Sequence, residues 1–203
     1  MMRSVVVVTV LVALLCAGCP SQEPERTVIG APPEGGAPPA GETEAAPAAE
    51  MQITSTAFED GERIPEKYTA DGADVSPPLS FAGVPDEAAE LVLICHDPDA
   101  PRAGGWTHWV AYGMSRDMGG LPEAVPPDPV VSAHGLTQGD NSWGNTGYGG
   151  PDPPRGRPHR YQFKLYAVRP SLSLQPGATR DEVEAAITDA VVAEAMLEGL
   201  YGR

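Results

Sequence analysis

Ionisable side chains are concentrated in one short stretch, which spans residues 97–109 and reads DPDAPRAGGWTHW. Asp97 and Asp99 supply carboxylates, and His108 supplies an imidazole. A carboxylate that accepts a hydrogen bond from an imidazole fixes its tautomer and raises its basicity, and histidine gains positive charge as the pH falls through about 6.5. Residues of these types so close together favour a binding site over a purely structural loop.

Two hydrophobic runs flank this stretch. Leu91–Ile94 precedes it and Trp109–Tyr112 follows it, and both have the aliphatic and aromatic composition of buried strands. The stretch is therefore predicted to be a polar loop between two strands, with His108 at the edge of the second. Strand alternation predicts that His108 and Trp109 face opposite sides of the sheet. Of the two tryptophans that flank His108, Trp106 and Trp109, one is expected to form a wall of the site and the other to pack in the core.

A second polar stretch spans residues 141–161 and reads NSWGNTGYGGPDPPRGRPHRY. Glycine and proline occupy six of the eight positions from 147 to 154, which predicts a loop. The loop ends at His159, Arg160 and Tyr161, where an alternating strand begins. His159 and Tyr161 are candidate hydrogen-bond donors, although a structural role for His159 remains an alternative. Alternation directs Arg160 away from both, toward a structural ion pair.

The folded part of the chain is predicted to span residues 51–203. Short apolar runs recur there between glycine-, proline- and aspartate-rich turns, a pattern typical of mostly antiparallel β structure with long loops. One helix is predicted near the C-terminus. It would begin at the capping box Thr179–Glu182, carry an apolar stripe as far as Leu197, and end at Gly199 as a C-cap.

Composition restricts the class of partner. The formal net charge is −15, which argues against nonspecific binding to nucleic acid or to anionic lipid head groups. Of the three cysteines, Cys16 and Cys19 lie in the N-terminal segment, so Cys95 is alone in the predicted domain and an intradomain disulfide is excluded.

The N-terminal segment is predicted to be an export signal. Residues 1–18 contain Arg3 and an apolar run, and they end at LCAGC, which resembles a bacterial lipobox with Cys19 as the lipidated residue. Cys16 departs from that motif, and plain secretion is the alternative. Residues 19–50 are rich in proline, glycine, alanine and glutamate, which is typical of a disordered tether. We therefore expect an exported protein, lipid-anchored at the cell envelope, on the outer membrane if the cell has one.

Several motifs, in their order along the chain, resemble the phosphatidylethanolamine-binding protein family, and within it the bacterial Raf-kinase-inhibitor-like branch. They are YTADGADVSPPL at 68–79, GVP at 83–85, DPDAP at 97–101, WTHW at 106–109 and GGPDPPRG at 149–156 before HRY at 159–161. The resemblance covers about residues 53–197. It implies a mainly β fold, a sandwich of a large central antiparallel sheet and a smaller sheet, with the C-terminal helix and short peripheral helices.

The resemblance also implies a small anion-binding pocket, which accepts phosphate head groups and acetate-like ions. By motif, its residues here would be Asp97, Asp99, His108, Pro154, His159 and Tyr161. Asp152 would add a negative charge at the mouth of this pocket. We expect no cofactor and no metal.

Three classes of function follow from these expectations. The first is a non-enzymatic binding module for a small phosphate- or carboxylate-bearing ligand. The second is an inhibitor or regulator of a partner protein, such as an envelope protease, and family relatives also suggest a homodimer. The third, an enzyme such as a hydrolase, is less favoured, because no G-x-S-x-G motif occurs and Cys95 closes an apolar strand.

Overall fold

The computed structural model describes residues 50–203. The predicted signal segment at 1–18, the lipidation site Cys19 and all but the last residue of the predicted tether at 19–50 lie outside the described residues. No helix in the described part of the chain is long and apolar enough to cross a membrane.

The described residues form nine strands and one α-helix, with short 3-10 turns at Glu66–Tyr68 and Ser132–His134. The strands and the helix, in chain order, are β1 (Gln52–Thr54), β2 (Leu79–Ala82), β3 (Glu90–Asp97), β4 (Trp106–Ser115), β5 (Gly120–Leu121), β6 (Val130–Val131), β7 (Leu136–Gln138), β8 (His159–Val168), α1 (Arg180–Ile187) and β9 (Val191–Tyr201).

The strands form two antiparallel sheets. The smaller has the order β1-β2-β5, and the larger has the order β6-β7-β4-β3-β8-β9. Strand β3 lies in the middle of the larger sheet, and all eight of its residues are buried. A strand buried on both faces has no need for polar positions, which explains the unbroken apolar run at 91–95.

The larger sheet separates two hydrophobic cores. On one face, Leu91, Leu93 and Cys95 pack in the same cluster as residues of the smaller sheet such as Phe81. On the other face, residues of β3 pack in a cluster that includes Val183 of α1. The predicted β-sandwich with a C-terminal helix is therefore confirmed.

The extent of the predicted C-terminal helix is wrong. Its start is correct, because Thr179 and Glu182 form the expected reciprocal capping box. However, α1 ends at Ile187, and the residues that follow form β9, which pairs with β8 along its whole length. The apolar and small residues from Ala193 onward recur every second position, and this period of two fits a strand. Gly199 lies within that strand, where an added Cβ would come within 2.5 Å of Ile64.

Candidate functional site

Polar side chains from three neighbouring strands of the larger sheet meet at one end of it. Asp97 is the last residue of β3, and it is paired with Trp106, the first residue of β4. His159 is the first residue of β8 and contacts Asp97 directly. Antiparallel neighbours bring the end of one strand beside the start of the next, so the two polar stretches of the sequence converge here.

A β-bulge directs His108 into this cluster. Cys95 pairs with Trp109 and His96 pairs with Thr107, so His108 is an extra residue in β4. The His108 ring lies 5.0 Å from the ring of Tyr161, and Tyr161 and Trp109 belong to the same hydrophobic core. His108 and Trp109 therefore face the same side of the sheet. The expectation from strict alternation is wrong at this position, because the bulge inserts one residue.

His159 and Asp97 form a buried pair. Nδ1 of His159 lies 2.8 Å from Oδ2 of Asp97, and both side chains are almost completely buried. The other carboxylate oxygen of Asp97 accepts a hydrogen bond of 2.8 Å from the backbone N–H of Asp99. The carboxylate therefore holds Nδ1–H of the imidazole and orients Nε2 away from it.

His108 is held in the same tautomer by a backbone carbonyl. Its Nδ1 lies 2.7 Å from the carbonyl oxygen of Gly149, and the Gly149 N–H donates to the His108 carbonyl over 2.9 Å. Because a carbonyl can only accept, Nδ1 carries the hydrogen. Burial lowers the pKa of His108, although the Gly149 hydrogen bond opposes this effect. Gly149 must lack a side chain, since a Cβ would come within 2.8 Å of Trp143.

A cavity of about 400 Å³ opens at this cluster. Its lining combines polar groups with an apolar wall of aromatic rings and prolines: Asp97, Ala100, Pro101, Trp106, His108, Trp143, Asp152, Pro153, Pro154, His159, Tyr161 and Arg203. Five of the six residues expected from the resemblance are in this lining. Cavities with apolar walls and a few convergent polar groups are typical of small-molecule sites.

Asp99, the sixth expected residue, lies outside this lining. Its carboxylate accepts hydrogen bonds from Nε and Nη2 of Arg160, at 2.9 and 3.1 Å, and from Arg157 at 3.3 Å. Hydrogen bonding to Arg160 lowers the pKa of Asp99 to about 2, so it remains a carboxylate. The structural ion pair expected for Arg160 is thus formed with Asp99, and the pair joins the first polar loop to β8.

Two buried hydrogen-bond donors in the lining have no partner among the described residues. They are the Tyr161 hydroxyl and Nε1 of Trp106. The Tyr161 side chain is only 1% exposed. Burial, with the nearby charge of Asp97, raises the pKa of Tyr161, so its hydroxyl keeps its proton and can donate. Buried polar groups without partners are uncommon in folded proteins, and a bound ligand is one way to satisfy them.

Arg203 is a lining residue that the sequence motifs do not indicate. Its Nη2 lies 2.6 Å from Oδ1 of Asp152 and 2.6 Å from Oδ1 of Asp71. Hydrogen bonding to Arg203, and then to Tyr201, lowers the pKa of Asp71 to about 2. Asp152 does lie at the cavity, as expected, but its charge is paired with a guanidinium. The period of two along β9, continued past Tyr201, would have placed Arg203 on the same side as Tyr201. The prediction of a helix in this region hides that pattern.

No cluster of three or more histidine, cysteine, aspartate or glutamate side chains within residues 50–203 is arranged to hold a metal ion. Cys95 is a free, buried thiol, and burial raises its pKa well above the usual value.

Comparison with known proteins agrees with the fold and with the motifs. The family model for phosphatidylethanolamine-binding protein matches residues 54–202. A UPF0098 protein from Methanothermobacter thermautotrophicus is 50% identical over 153 residues, which cover 75% of this chain and 99% of the relative.

Two solved structures have the same fold. A phosphatidylethanolamine-binding protein homologue from Chlamydia trachomatis is 40% identical, with a TM-score of 0.69, over 76% of this chain and 98% of its own. E. coli YbcL, a member of the mammalian PEBP family, is 29% identical, with a TM-score of 0.72, over 76% of this chain and 99% of its own. The chain described here belongs to the phosphatidylethanolamine-binding protein family.

Proposed function

We propose that this protein is a non-enzymatic binding module for a small anionic ligand that bears phosphate or carboxylate. The observation that carries the proposal is the pair of unpartnered buried donors, Tyr161 O–H and Trp106 N–H, at a cavity that two histidines also line. Oxygen atoms of an anion accept such hydrogen bonds, and hydrogen bonds to charged groups are the stronger kind. The name of the family, which refers to binding of a phospholipid, supports the same class of ligand.

The lining also supports binding rather than catalysis. Among the described residues it contains no serine, threonine, cysteine or lysine, so the aliphatic hydroxyl, thiol and amine nucleophiles are lacking there. The free thiol of Cys95 is only 1% exposed and lies within β3. The hydrogen bond from His159 to Asp97 fixes the orientation of the ring, which suits it to position a ligand.

The proposal includes a tether to the cell envelope. Its support is the sequence alone: an apolar run before Cys19, followed by a segment rich in proline and glycine. Two or more acyl chains on Cys19 would give a stable membrane anchor.

Calorimetric titration of the protein with phosphate and with acetate tests the binding proposal. We expect wild-type protein to bind at least one of them, and Tyr161→Phe to bind it about ten- to a hundredfold more weakly, the cost of a lost hydrogen bond to a charged group. Tyr166→Phe is the matched control, because that tyrosine lies outside the cavity lining. Replacing both His108 and His159 with alanine should abolish binding. Absence of binding by wild-type protein, or unchanged binding by Tyr161→Phe, would contradict the proposal.

A further inference from the structure

A separate cavity of about 210 Å³, which we call the α1 cavity, lies on the face of the larger sheet that α1 covers. Thr107 of β4 is paired with His96 of β3, and cross-strand pairs project to the same face of a sheet. The His96 ring contacts the guanidinium of Arg180, the first residue of α1, so Thr107 also faces α1. Thr107 and Arg180 both line the α1 cavity, and its lining shares no residue with the cavity at the end of the sheet.

The hydroxyl of Thr107 is a polar group without a partner in the wall of the α1 cavity. The residue is only 6% exposed. Its backbone is fully engaged by Ser142, because its N–H donates to the Ser142 hydroxyl and its carbonyl accepts from the Ser142 N–H, each over 2.9 Å. No residue in the described range forms a hydrogen bond with the Thr107 hydroxyl, which is not sealed from the cavity. Buried polar side chains without partners are uncommon, and a bound ligand is one way to satisfy them.

Two arginines in the lining have N–H groups to offer. Nη1 of Arg180 donates to the Gly104 carbonyl over 3.0 Å, and its Nε donates to Glu184 over 2.8 Å. Nη2 of Arg180 makes no hydrogen bond within residues 50–203. The Arg102 guanidinium lies 5.1 Å from the centre of the Trp106 ring, and it forms no ion pair with the residues that the structure describes. The planar fork of a guanidinium matches the geometry of a carboxylate.

Two carboxylates balance the charge of these arginines. Oδ1 of Asp140 accepts a hydrogen bond of 2.8 Å from the hydroxyl of Thr146. Neither Oδ2 of Asp140 nor the carboxylate of Asp181 is hydrogen-bonded to the described part of the chain. The lining therefore carries two positive and two negative formal charges. A plain anion would meet both carboxylates and a plain cation would meet both guanidinium groups, whereas a ligand with both charges can pair with each.

We propose that the α1 cavity binds a small zwitterion, namely a free α-amino acid with a small side chain. Its carboxylate accepts hydrogen bonds from the Thr107 hydroxyl and from the guanidinium groups of Arg102 and Arg180, and its ammonium group donates to Asp140 and Asp181. A water molecule occupies about 30 Å³ of liquid volume, so this cavity suits a ligand of roughly six heavy atoms, such as alanine, better than a single ion. The site is independent of the anion proposed for the first cavity.

The test is a titration of the isotopically labelled full chain at pH 7, followed by heteronuclear NMR, with L-alanine, propionate and ethylammonium as probes. Propionate has the carbon skeleton of alanine without the ammonium group, and ethylammonium lacks the carboxylate. We expect L-alanine to shift the amide resonances of Thr107 and Ser142, and to bind there about tenfold or more tightly than either analogue, because each analogue loses the hydrogen bonds of one charged group. No shift at these residues with L-alanine, or an equal affinity for either analogue, would overturn the proposal.

Two variants assign the binding to this lining. Thr107→Val removes the hydroxyl but keeps the shape of the side chain, and Arg102→Gln removes an exposed positive charge. Each should weaken binding of L-alanine about tenfold or more. Thr137→Val and Arg155→Gln, outside the lining, are the matched controls and should bind as wild type.

Circular dichroism identifies a variant that has not folded, and Arg102→Gln remains informative if Thr107→Val unfolds, because Arg102 is exposed. Wild-type affinity in every folded lining variant would overturn the proposal. A titration with phosphate, followed at the Tyr161 resonance, tests the proposed function separately, so the failure of one proposal is distinguishable from the failure of the other.

Discussion

The carboxylate of Asp97 and the imidazole of His159 form a buried pair between the end of β3 and the start of β8, with Oδ2 2.8 Å from Nδ1. The pair joins two stretches that are 62 residues apart in the sequence. The pair fixes the orientation of the His159 ring, which we propose faces the ligand. It also holds the end of β3 against the start of β8. We therefore expect it to matter for stability as well as for binding.

Replacing Asp97 with alanine should remove the partner of a buried histidine and of the Asp99 backbone N–H. Breaking a buried pair by removing one member typically costs about 3–5 kcal/mol. We expect Asp97→Ala to lose free energy of unfolding of this order, and Asp97→Asn to lose less, because its amide oxygen can still accept. Urea denaturation measures both. An alanine variant with the wild-type midpoint and slope would show that the pair does not stabilise the fold.

Gly105→Ala should lower the stability of the fold more than Gly104→Ala does. The comparison separates the effect of steric crowding from that of backbone strain. Both glycines have positive φ, at +73° and +82°, so both substitutions strain the backbone. A Cβ at residue 105 would also come within 2.4 Å of the Asp97 carbonyl oxygen, whereas a Cβ at residue 104 would meet nothing within 4 Å. Overpacking of this kind costs about 1–3 kcal/mol, which thermal unfolding can resolve. Equal losses in the two variants would contradict the predicted crowding.

The free energy of unfolding should fall as the pH is lowered, and we expect protonation of His96 to contribute to this loss. Burial, and then the positive charge of Arg180, lower the pKa of His96 to about 4 in the folded protein. The unfolded chain, with its histidine pKa of about 6.5, therefore binds more protons in this range, and the stability that neutral His96 provides is lost as the pH falls from about 6.5 to about 4. His108, whose pKa is also lowered by burial, adds to this loss in the same direction.

Urea denaturation at pH 7 and at pH 4.5 measures this loss. His96→Gln should lose less stability than wild-type protein between the two values, and His134→Gln should behave as wild type. If His96→Gln and wild-type protein lose the same amount, His96 is not the group responsible.

The charges of Arg203 and its partners Asp71 and Asp152 should change the affinity for anions without a large effect on the stability of the fold. Arg203→Gln leaves Asp71 and Asp152 without their guanidinium, so we expect weaker binding of phosphate. Asp152→Asn removes a negative charge from the lining and should strengthen binding. Because exposed ion pairs contribute little to stability, melting temperatures should change little. Arg155→Gln is the control, and equal affinities in all four proteins would exclude a role for this cluster.

The lipid anchor can be tested separately from the domain. Full-length protein expressed in a bacterial host should incorporate labelled palmitate and sediment with membranes, and Cys19→Ser should do neither. Cys16→Ser is the control and should retain both properties. Palmitate labelling of the Cys19→Ser variant would contradict the assignment of this cysteine.

The sequence predicts most of the fold but not all of the site. The apolar runs in β3 and β8 and the capping box of α1 are local patterns, and each specifies its element directly. The sequence after Ile187 predicts a helix, because alanine, methionine and leucine favour a helix and recur at spacings that fit one. Pairing with β8 overrides that preference, as tertiary contacts often do.

The arrangement of the cavity depends on features that no short motif encodes. The bulge at His108 is a register shift between two strands, so it is visible only once Cys95 and Thr107 are paired with their neighbours. Arg203 reaches the cavity because β9 pairs Tyr201 with His159. Asp99 was expected in the pocket from its motif, but its carboxylate is turned toward Arg160.

A crystal structure of the protein crystallised in the presence of phosphate tests most directly the central claim, which is that the cavity binds an anion. We expect electron density for one tetrahedral anion in the cavity, with its oxygens within hydrogen-bond distance of Tyr161 Oη, Trp106 Nε1 and Nε2 of a histidine. A cavity that contains only water at high phosphate, with both donors satisfied by that water, would contradict the claim that this site binds anions.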